Sequence, residues 1–119
     1  MKPKKVYLLS GPPASGKSTW IRAHLTPGSE WISRDNVRFA IVSEDEDYFS
    51  HEEEVFDKFI ADIQSAINDP LRANIYVDAT HLNKTARDRV LQRLNTTLVD
   101  EINCVFFKID SETCIERNE

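Results

Sequence analysis

Residues 11–18, with the sequence GPPASGKS, have the spacing of a phosphate-binding loop: a glycine, four further residues, and then Gly-Lys-Ser. In such a loop, successive backbone N–H groups and the positive end of the following helix face a nucleotide phosphate. The ammonium of Lys17 would neutralise phosphate charge, and the Ser18 hydroxyl can ligate Mg²⁺. The alternative interpretation is a glycine-rich turn with a solvated lysine. The predicted nucleotide-binding residues are Gly11, Ala14, Ser15, Gly16, Lys17, Ser18 and Thr19.

A second feature is an acidic residue that ends an apolar run, Asp78 after Ile75-Tyr76-Val77. If this run is a parallel strand, its carboxyl end lies at the edge of the sheet where ligands gather. Asp78 would then hold Mg²⁺ through water, opposite Ser18. The alternative is an aspartate that caps a helix or stabilises a turn. For Asp110, which precedes Ser111 and Glu112, we favour the capping role at the start of a final helix.

The segment Ser33-Arg34-Asp35 follows another short apolar run, and Arg38 lies three residues beyond Asp35. On a helix, Asp35 and Arg38 project from the same face. A carboxylate that accepts a proton and a guanidinium that fixes a charged acceptor are what a kinase acting on a hydroxyl needs. The alternative is an ion pair on the solvated face of a helix, which contributes only about 0.3 kcal/mol to helix stability.

Alternating strands and helices are predicted around these residues. Short apolar runs predict strands at 6–9, 30–33, 74–78 and 102–109, and helices are predicted over 18–25, 34–42 and from a cap at Asn83. Between the second and third strands, a helix is indicated by one apolar stripe of Val55, Phe56, Phe59, Ile60, Ile63, Ala66 and Ile67. This alternation predicts a parallel, right-handed α/β sheet.

Length and charge limit the possible functions. A chain of 119 residues with 40% hydrophobic residues can build one modest core, so we predict a single domain over residues 1–119. The net charge of −5 gives no general attraction for nucleic acid, and the acidic runs 44–47 and 52–54 are interpreted as solvated helix ends. Since no segment has the length of a signal peptide core or a membrane span, we expect a cytoplasmic protein with no membrane partner.

The motifs at 11–20, 32–38 and 78–83 together resemble the 5′-kinase domain of bacteriophage and bacterial polynucleotide kinases, a P-loop ATP-binding family of the AAA type. The resemblance implies a nucleoside-kinase-like P-loop fold, a sheet in the order 2-3-1-4, and the cofactors ATP and Mg²⁺. It also implies a nucleic acid 5′-end as acceptor, with Lys17, Asp35 and Arg38 as catalytic residues. Asp35 would be the general base, Arg38 would contact the 3′-phosphate of the acceptor, and Ser18 with Asp78 would hold the metal.

The resemblance extends to Cys114-Ile115-Glu116-Arg117-Asn118, which is similar to the start of the family's lid helix. It therefore adds Arg117 to the predicted nucleotide-binding residues. The family's catalytic lid arginine falls beyond Glu119, so we expect the end of the lid and a fifth strand to be missing and transfer to be slow. Two alternatives stay open at this point: a kinase for a small nucleoside or sugar nucleotide, and a module that binds ATP without catalysis. The oligomeric state is not predicted.

Overall fold

The computed structural model describes residues 3–12, 16–47, 50–79, 84–109 and 115–118. Strands and helices alternate along these ranges, as the apolar patterns predict. Their order is β1 (Lys5–Ser10), α1 (Lys17–His24), β2 (Ser29–Ser33), α2 (Arg34–Ile41), α3 (Glu52–Asn68), β3 (Asn74–Ala79), α4 (Lys84–Arg93), β4 (Glu101–Ile109) and β5 (Ile115–Asn118). The α/β class is confirmed.

The strands form one sheet in the order β2-β3-β1-β4-β5. The first four of these strands are parallel, which confirms the predicted order 2-3-1-4. The central strand, β1, pairs along its whole length with β3 on one side and β4 on the other, so that Lys5 is level with both Asn74 and Glu101. Because the sheet is covered on both faces, β1 and β3 are continuous apolar runs rather than alternating ones.

Side chains alternate between the two faces of the sheet and fill two cores. The larger core lies under α3 and α4, and the smaller one lies under α1. Residues buried in the larger core include Val6, Leu8, Ile75, Val77 and Val90, together with all seven residues of the α3 stripe. The smaller core contains Leu9, Ile21, Tyr76, Val105 and Phe107, with Tyr7, Trp20 and Trp31 packed against it. The face under α1 is therefore the one on which aromatic residues gather.

The helices begin and end where their sequences allow. Ser33 caps α2 by accepting a hydrogen bond from the backbone N–H of Asn36. Three glutamates occupy the first turn of α3, where negative charge is favourable, and Pro70 follows soon after this helix ends. Asn83, the predicted cap of α4, lies outside the described residues. None of the helices in the described ranges has the length and apolarity that crossing a bilayer requires.

One part of the predicted fold is wrong. Residues 115–118, expected at the start of a lid helix, form the short strand β5, which pairs antiparallel with β4. The sheet thus has five strands rather than about four. A segment of four residues is long enough for only about one helical turn. Along β4, by contrast, its backbone groups find partners on an otherwise open strand edge.

Candidate functional site

The junction between β1 and α1 has the backbone that a phosphate-binding loop requires. Gly16 adopts φ 88°, a left-handed conformation that glycine accepts without strain, and it directly precedes the first helical residue, Lys17. The N–H of Trp20 closes the first helical turn by donating to the Gly16 carbonyl at 2.9 Å. The preceding N–H groups at this helix end are thus left for a ligand or solvent. Residues 13–15 lie outside the described part of the chain.

Lys17 is buried at this junction, with a residue exposure of 4%. Its ammonium donates to the carbonyl oxygens of Gly11 at 2.7 Å and Ala79 at 3.1 Å. It also forms an ion pair with Asp78, with 2.8 Å between Nζ and Oδ1. An ammonium has three donors, so these three acceptors use its whole capacity. The cation is therefore fully engaged by the protein itself.

Both oxygens of the Asp78 carboxylate have partners. While Oδ1 contacts Lys17, Oδ2 accepts a hydrogen bond from the indole Nε1–H of Trp31 at 3.1 Å. These side chains come into contact because side chains alternate along a strand. Trp31 on β2 and Asp78 on β3 both project toward the face of the sheet covered by α1, the helix that begins at Lys17. The three side chains link the carboxyl ends of β2 and β3 to the phosphate-binding loop.

A second cluster lies at the carboxyl end of β2. Asp35 and Arg38, one turn apart on α2, form the expected pair, with 3.1 Å between Oδ1 and Nη1. The pair is not on a solvated face, because the Arg38 side chain is only 8% exposed while that of Asp35 is 41% exposed. The buried member is thus the cation, and the carboxylate remains accessible.

Glu52, the first residue of α3, is the second partner of Arg38. Its Oε1 accepts from Nε of Arg38 at 3.0 Å and from Nη2 at 2.6 Å, while its Oε2 accepts from Nη2 of Arg34 at 3.2 Å. One carboxylate therefore orients two guanidinium groups. Burial lowers the pKa of Arg34, the nearby Arg38 and Arg89 lower it further, and Glu52 opposes these effects.

The donor set is suitable for Mg²⁺ held jointly with a nucleotide. The Ser18 hydroxyl at the start of α1 and the Asp78 carboxylate are both oxygen ligands, the type that Mg²⁺ prefers. Within the described ranges no group of three or more His, Cys, Asp or Glu side chains can form a protein-only metal site. A cation here would need phosphate oxygens and water to complete its coordination, as is usual for Mg²⁺.

Comparison with protein families decides what kind of domain this is. The model of the AAA_33 family, described as an AAA domain, matches residues 6–119. The chain belongs to this AAA domain family. It is a P-loop domain of the kinase-like kind. No curated protein sequence matches it.

Two solved structures share the fold of this AAA domain. One is titled "Structure of Pnkp1/Rnl/Hen1 complex", with a TM-score of 0.66 and 23% identity over 92% of this chain and 36% of that one. The other is titled "Structure of the Pnkp1/Rnl/Hen1 RNA repair complex", with a TM-score of 0.67 and 21% identity over 87% of this chain and 33% of that one. The AAA domain thus spans about a third of the chains it resembles.

The AAA domain brings most of its predicted site residues to one edge of the sheet. Gly11, Gly16, Lys17 and Asp78 lie around the end of β1, with Ser18 and Thr19 in the first turn of α1. Asp35 and Arg38 lie together at the end of β2. Ala14 and Ser15 fall outside the described residues. Arg117 lies on β5, level with Phe107 of β4 and two strands from β1, so its predicted contact with a nucleotide stays a prediction.

Sequence reasoning missed two side chains of the AAA domain site. The acidic run 52–54 predicts a solvated helix end, but the Glu52 carboxylate accepts hydrogen bonds from Arg34 and Arg38. The ring of Trp31 packs against the smaller core, and its indole N–H also donates to Asp78. The one sequence signal for Glu52 is its position in the first turn of a predicted helix. No local sequence signal indicates that Trp31 donates to Asp78.

Proposed function

We propose that this AAA domain is an ATP-dependent kinase that transfers the γ-phosphoryl group of ATP to the 5′-hydroxyl of DNA or RNA. The observation that carries the proposal is the pairing of Asp35 with the buried Arg38 at the carboxyl end of β2. This pair lies at the same sheet edge as the phosphate-binding loop, two strands away. A carboxylate able to accept a proton and a cation able to hold an anionic acceptor thus adjoin the donor site.

We assign the role of general base to Asp35. Its accessible carboxylate would take the proton of the 5′-hydroxyl as that oxygen forms a bond to the γ-phosphorus. The bond between the γ-phosphorus and the β,γ-bridging oxygen breaks at the same time, and ADP leaves with that electron pair. Arg38 would hold a phosphate of the acceptor, because a guanidinium pairs well with phosphate oxygens. Glu52 keeps that guanidinium oriented before the acceptor arrives.

On the donor side, the protein must exchange contacts when a nucleotide binds. Lys17 has no spare donor, so it can reach a phosphate oxygen only by releasing Gly11, Ala79 or Asp78. Release of Asp78 would free a carboxylate oxygen for Mg²⁺, with Ser18 as the other protein ligand. The bound metal would supply charge stabilisation on the transferred phosphoryl group.

The choice of a nucleic acid acceptor has two supports. The motif from Ile32 to Arg38 resembles that of polynucleotide 5′-kinases, and one of the structures with the same fold is titled as an RNA repair complex. A polyanionic acceptor also suits a site where two arginines, Arg34 and Arg38, lie beside the proposed base. On this chain of net charge −5, such an attraction has to be local.

The decisive experiment is Asp35→Asn, assayed with labelled ATP and a 5′-hydroxyl oligonucleotide. We expect transfer to fall by about 1,000-fold, within the range of general base catalysis, while the calorimetric Kd for Mg·ATP changes less than about twofold. Asp88→Asn, which neutralises an exposed carboxylate on α4, is the matched control and should keep its rate. An Asp35→Asn variant with undiminished transfer would refute the assignment of the base.

Competition between acceptors tests the substrate class. A 5′-hydroxyl oligonucleotide should inhibit phosphorylation of free nucleosides, and nucleosides should compete poorly in return. Preference for nucleosides would indicate a small-molecule kinase instead. Saturable ATP binding without transfer to any acceptor would indicate a nucleotide-binding module.

A further inference from the structure

Three arginines surround the ring of Phe56 at the start of α3. The guanidinium carbons of Arg34, Arg89 and Arg93 lie 5.7, 4.4 and 5.4 Å from its centroid. Cations over an aromatic face are attracted by the ring, but three cations together also repel one another. Repulsion among the three guanidinium groups therefore costs free energy, which suggests that the cluster binds a ligand as well as packing around Phe56.

Carboxylates balance two of these cations and leave the third. Arg93 pairs with Asp57 at 3.1 Å, and Arg34 pairs with Glu52 at 3.2 Å. Arg89 is exposed and, among the residues that the structure describes, it donates to no oxygen. The Nε–H of Arg34 is buried and also finds no acceptor there. Within that part of the chain, Arg89 thus has accessible unpaired donors, and Arg34 has one buried N–H whose hydrogen bond is not satisfied.

The position of this cluster connects it with the proposed acceptor site. Arg34 directly precedes Asp35, and Arg89 lies in the middle of α4, the helix that follows β3 in the chain. Because the distances from Arg34 and Arg89 end at the same ring, their guanidinium carbons lie within about 10 Å of each other. Arg34, which begins α2 directly after β2, is at the ligand-binding edge of the sheet, and Arg89 lies near it across the ring of Phe56 in the second turn of α3.

We propose that Arg89, together with Arg34, forms a second phosphate-binding subsite that holds a backbone phosphate of the acceptor strand beyond the one held by Arg38. The inference rests on the proposed kinase function and deepens it, because a second phosphate site would favour a polynucleotide acceptor over a single nucleotide. Arg38 is buried between Asp35 and Glu52, so it can serve one phosphate at the reacting end. Arg89 is accessible and can bind a phosphate in a bidentate manner farther along the strand.

The charges at this edge agree with the subsite. Arg34 and Arg38 are paired with the two carboxylates of Asp35 and Glu52, and Arg89 adds a further positive charge close to Arg34. The lowering of the Arg34 pKa, caused first by burial and then by Arg38 and Arg89, reflects the same crowding of cations. A phosphate bound between Arg34 and Arg89 would relieve that repulsion. The competing explanation is that Arg89 only covers Phe56.

The test is Arg89→Ala, measured by fluorescence anisotropy with a labelled 5′-hydroxyl oligonucleotide in the absence of ATP. Loss of one phosphate contact should weaken the Kd about fivefold or more at low salt and reduce the slope of log K against log salt by about 0.7 to 1. Inhibition by a nucleoside 3′-monophosphate, which carries a single phosphate, should change less than about twofold. Arg89→Lys keeps the charge and should recover part of the affinity and the salt slope.

Two control variants make the test specific. Arg93→Ala removes another cation from the same ring, but one already paired with Asp57, so oligonucleotide binding should be unchanged. Lys58→Ala removes an exposed positive charge on α3 that is paired with Asp62, and it should also have no effect. An equal loss of affinity in Arg93→Ala and Arg89→Ala would assign the effect to packing around Phe56 and overturn the subsite, as would unchanged binding in Arg89→Ala.

The binding assay and the transfer assay can fail separately. If the wild-type chain binds the oligonucleotide through Arg89 but transfers no phosphate, the kinase proposal fails and the subsite stands. If transfer occurs and Arg89→Ala alters neither affinity nor salt slope, only the subsite fails. If the wild-type chain binds no oligonucleotide, both proposals fail.

Discussion

The two halves of the site both contain a buried cation, but they hold it in different ways. Lys17 is enclosed by Asp78 and two backbone carbonyls on neighbouring strands. Arg38 is held between two carboxylates, those of Asp35 and Glu52, whose side chains are 41% and 39% exposed and which belong to separate helices. On the proposed donor side, two backbone carbonyls and a buried carboxylate hold the cation, whereas on the proposed acceptor side two partly exposed carboxylates hold it.

This difference indicates how each half responds to a ligand. The donor half must break an existing contact before Lys17 can donate to a phosphate, so part of the binding free energy is spent on that exchange. In the proposed acceptor half, the carboxylate of Asp35 is already accessible and two carboxylates already orient Arg38. Preorganisation of this kind lowers the cost of binding and of reaction. Variants of the two halves should therefore fail in different ways.

The largest effect should come from Lys17→Met. Removing one partner of a buried pair leaves the Asp78 carboxylate uncompensated, and this costs about 3 to 5 kcal/mol of stability. Urea unfolding should show that loss, and calorimetry should show no binding of Mg·ATP. Lys58→Met breaks the exposed pair with Asp62 and should cost no more than about 0.5 kcal/mol. Equal losses of unfolding free energy in the two variants would mean that burial does not make the Lys17–Asp78 pair more important for stability than the exposed Lys58–Asp62 pair.

The double variant Lys17→Met with Asp78→Asn sharpens the same point. With both charges removed, no unpaired carboxylate is left in the interior, so the double variant should be more stable than Lys17→Met alone. Nucleotide binding should remain absent. A double variant as unstable as the sum of its single variants would show that Lys17 and Asp78 contribute independently, contrary to their 2.8 Å contact.

On the acceptor side, Glu52→Gln should impair catalysis without unfolding the chain. The amide keeps the shape of the side chain but weakens charged hydrogen bonds to Arg38 and Arg34. Because such bonds contribute about 1.5 kcal/mol or more, kcat/KM for the acceptor should fall about tenfold. The KM for ATP should stay the same. Glu53→Gln, the exposed neighbour in the same helical turn, is the matched control and should behave as the wild type.

The framework of the domain could be predicted because its signals are local or periodic. The α3 stripe recurs at helical spacing, and all seven of its residues are buried. The apolar runs of β1 and β3 mark strands that are covered on both faces. Motif spacing also predicted a helix directly after the phosphate-binding loop, with a start within one residue of the observed Lys17, and it predicted Asp35 one turn before Arg38.

What could not be predicted depends on contacts between distant residues. Glu52 meets Arg38 across 14 positions, and Trp31 meets Asp78 across 47 positions. Nothing in either short segment specifies its partner. The strand β5 is a similar case, because whether residues 115–118 form a helical turn or a strand depends on the open edge of β4. Local sequence gave these residues no strong preference, and tertiary pairing decided the outcome.

A smaller effect is expected for Trp31→Phe, which tests the link between the two halves. Phenylalanine keeps the aromatic packing but cannot donate to Oδ2 of Asp78. A lost hydrogen bond of about 1 kcal/mol should raise the Mg²⁺ concentration needed for half-maximal transfer about fivefold. Trp20→Phe, on the same aromatic face, is the control and should leave the Mg²⁺ dependence unchanged. An identical Mg²⁺ response in both variants would show that the indole N–H does not position Asp78.

The smallest effect should come from pH, at the start of α3 where Glu52 lies. His51 donates from Nε2 to Glu46 at 2.6 Å and lies 3.5 Å from Glu54. The hydrogen bond with Glu46 raises the His51 pKa above 6.5, and hydrogen bonds from Ser43 and then His51 lower the Glu46 pKa to about 2.

The contribution of His51 is complete below pH 6.5 and is lost as the pH rises through its raised pKa, whereas that of Glu46 is complete above pH 4.5 and is lost as the pH falls toward 2. The contact should therefore anchor the start of α3 best between pH 4.5 and 6.5. NMR titration should show the His51 pKa falling toward 6.5 in Glu46→Gln but not in Glu44→Gln. If Glu46→Gln left that pKa raised, Glu54 rather than Glu46 would be the group that stabilises the imidazolium.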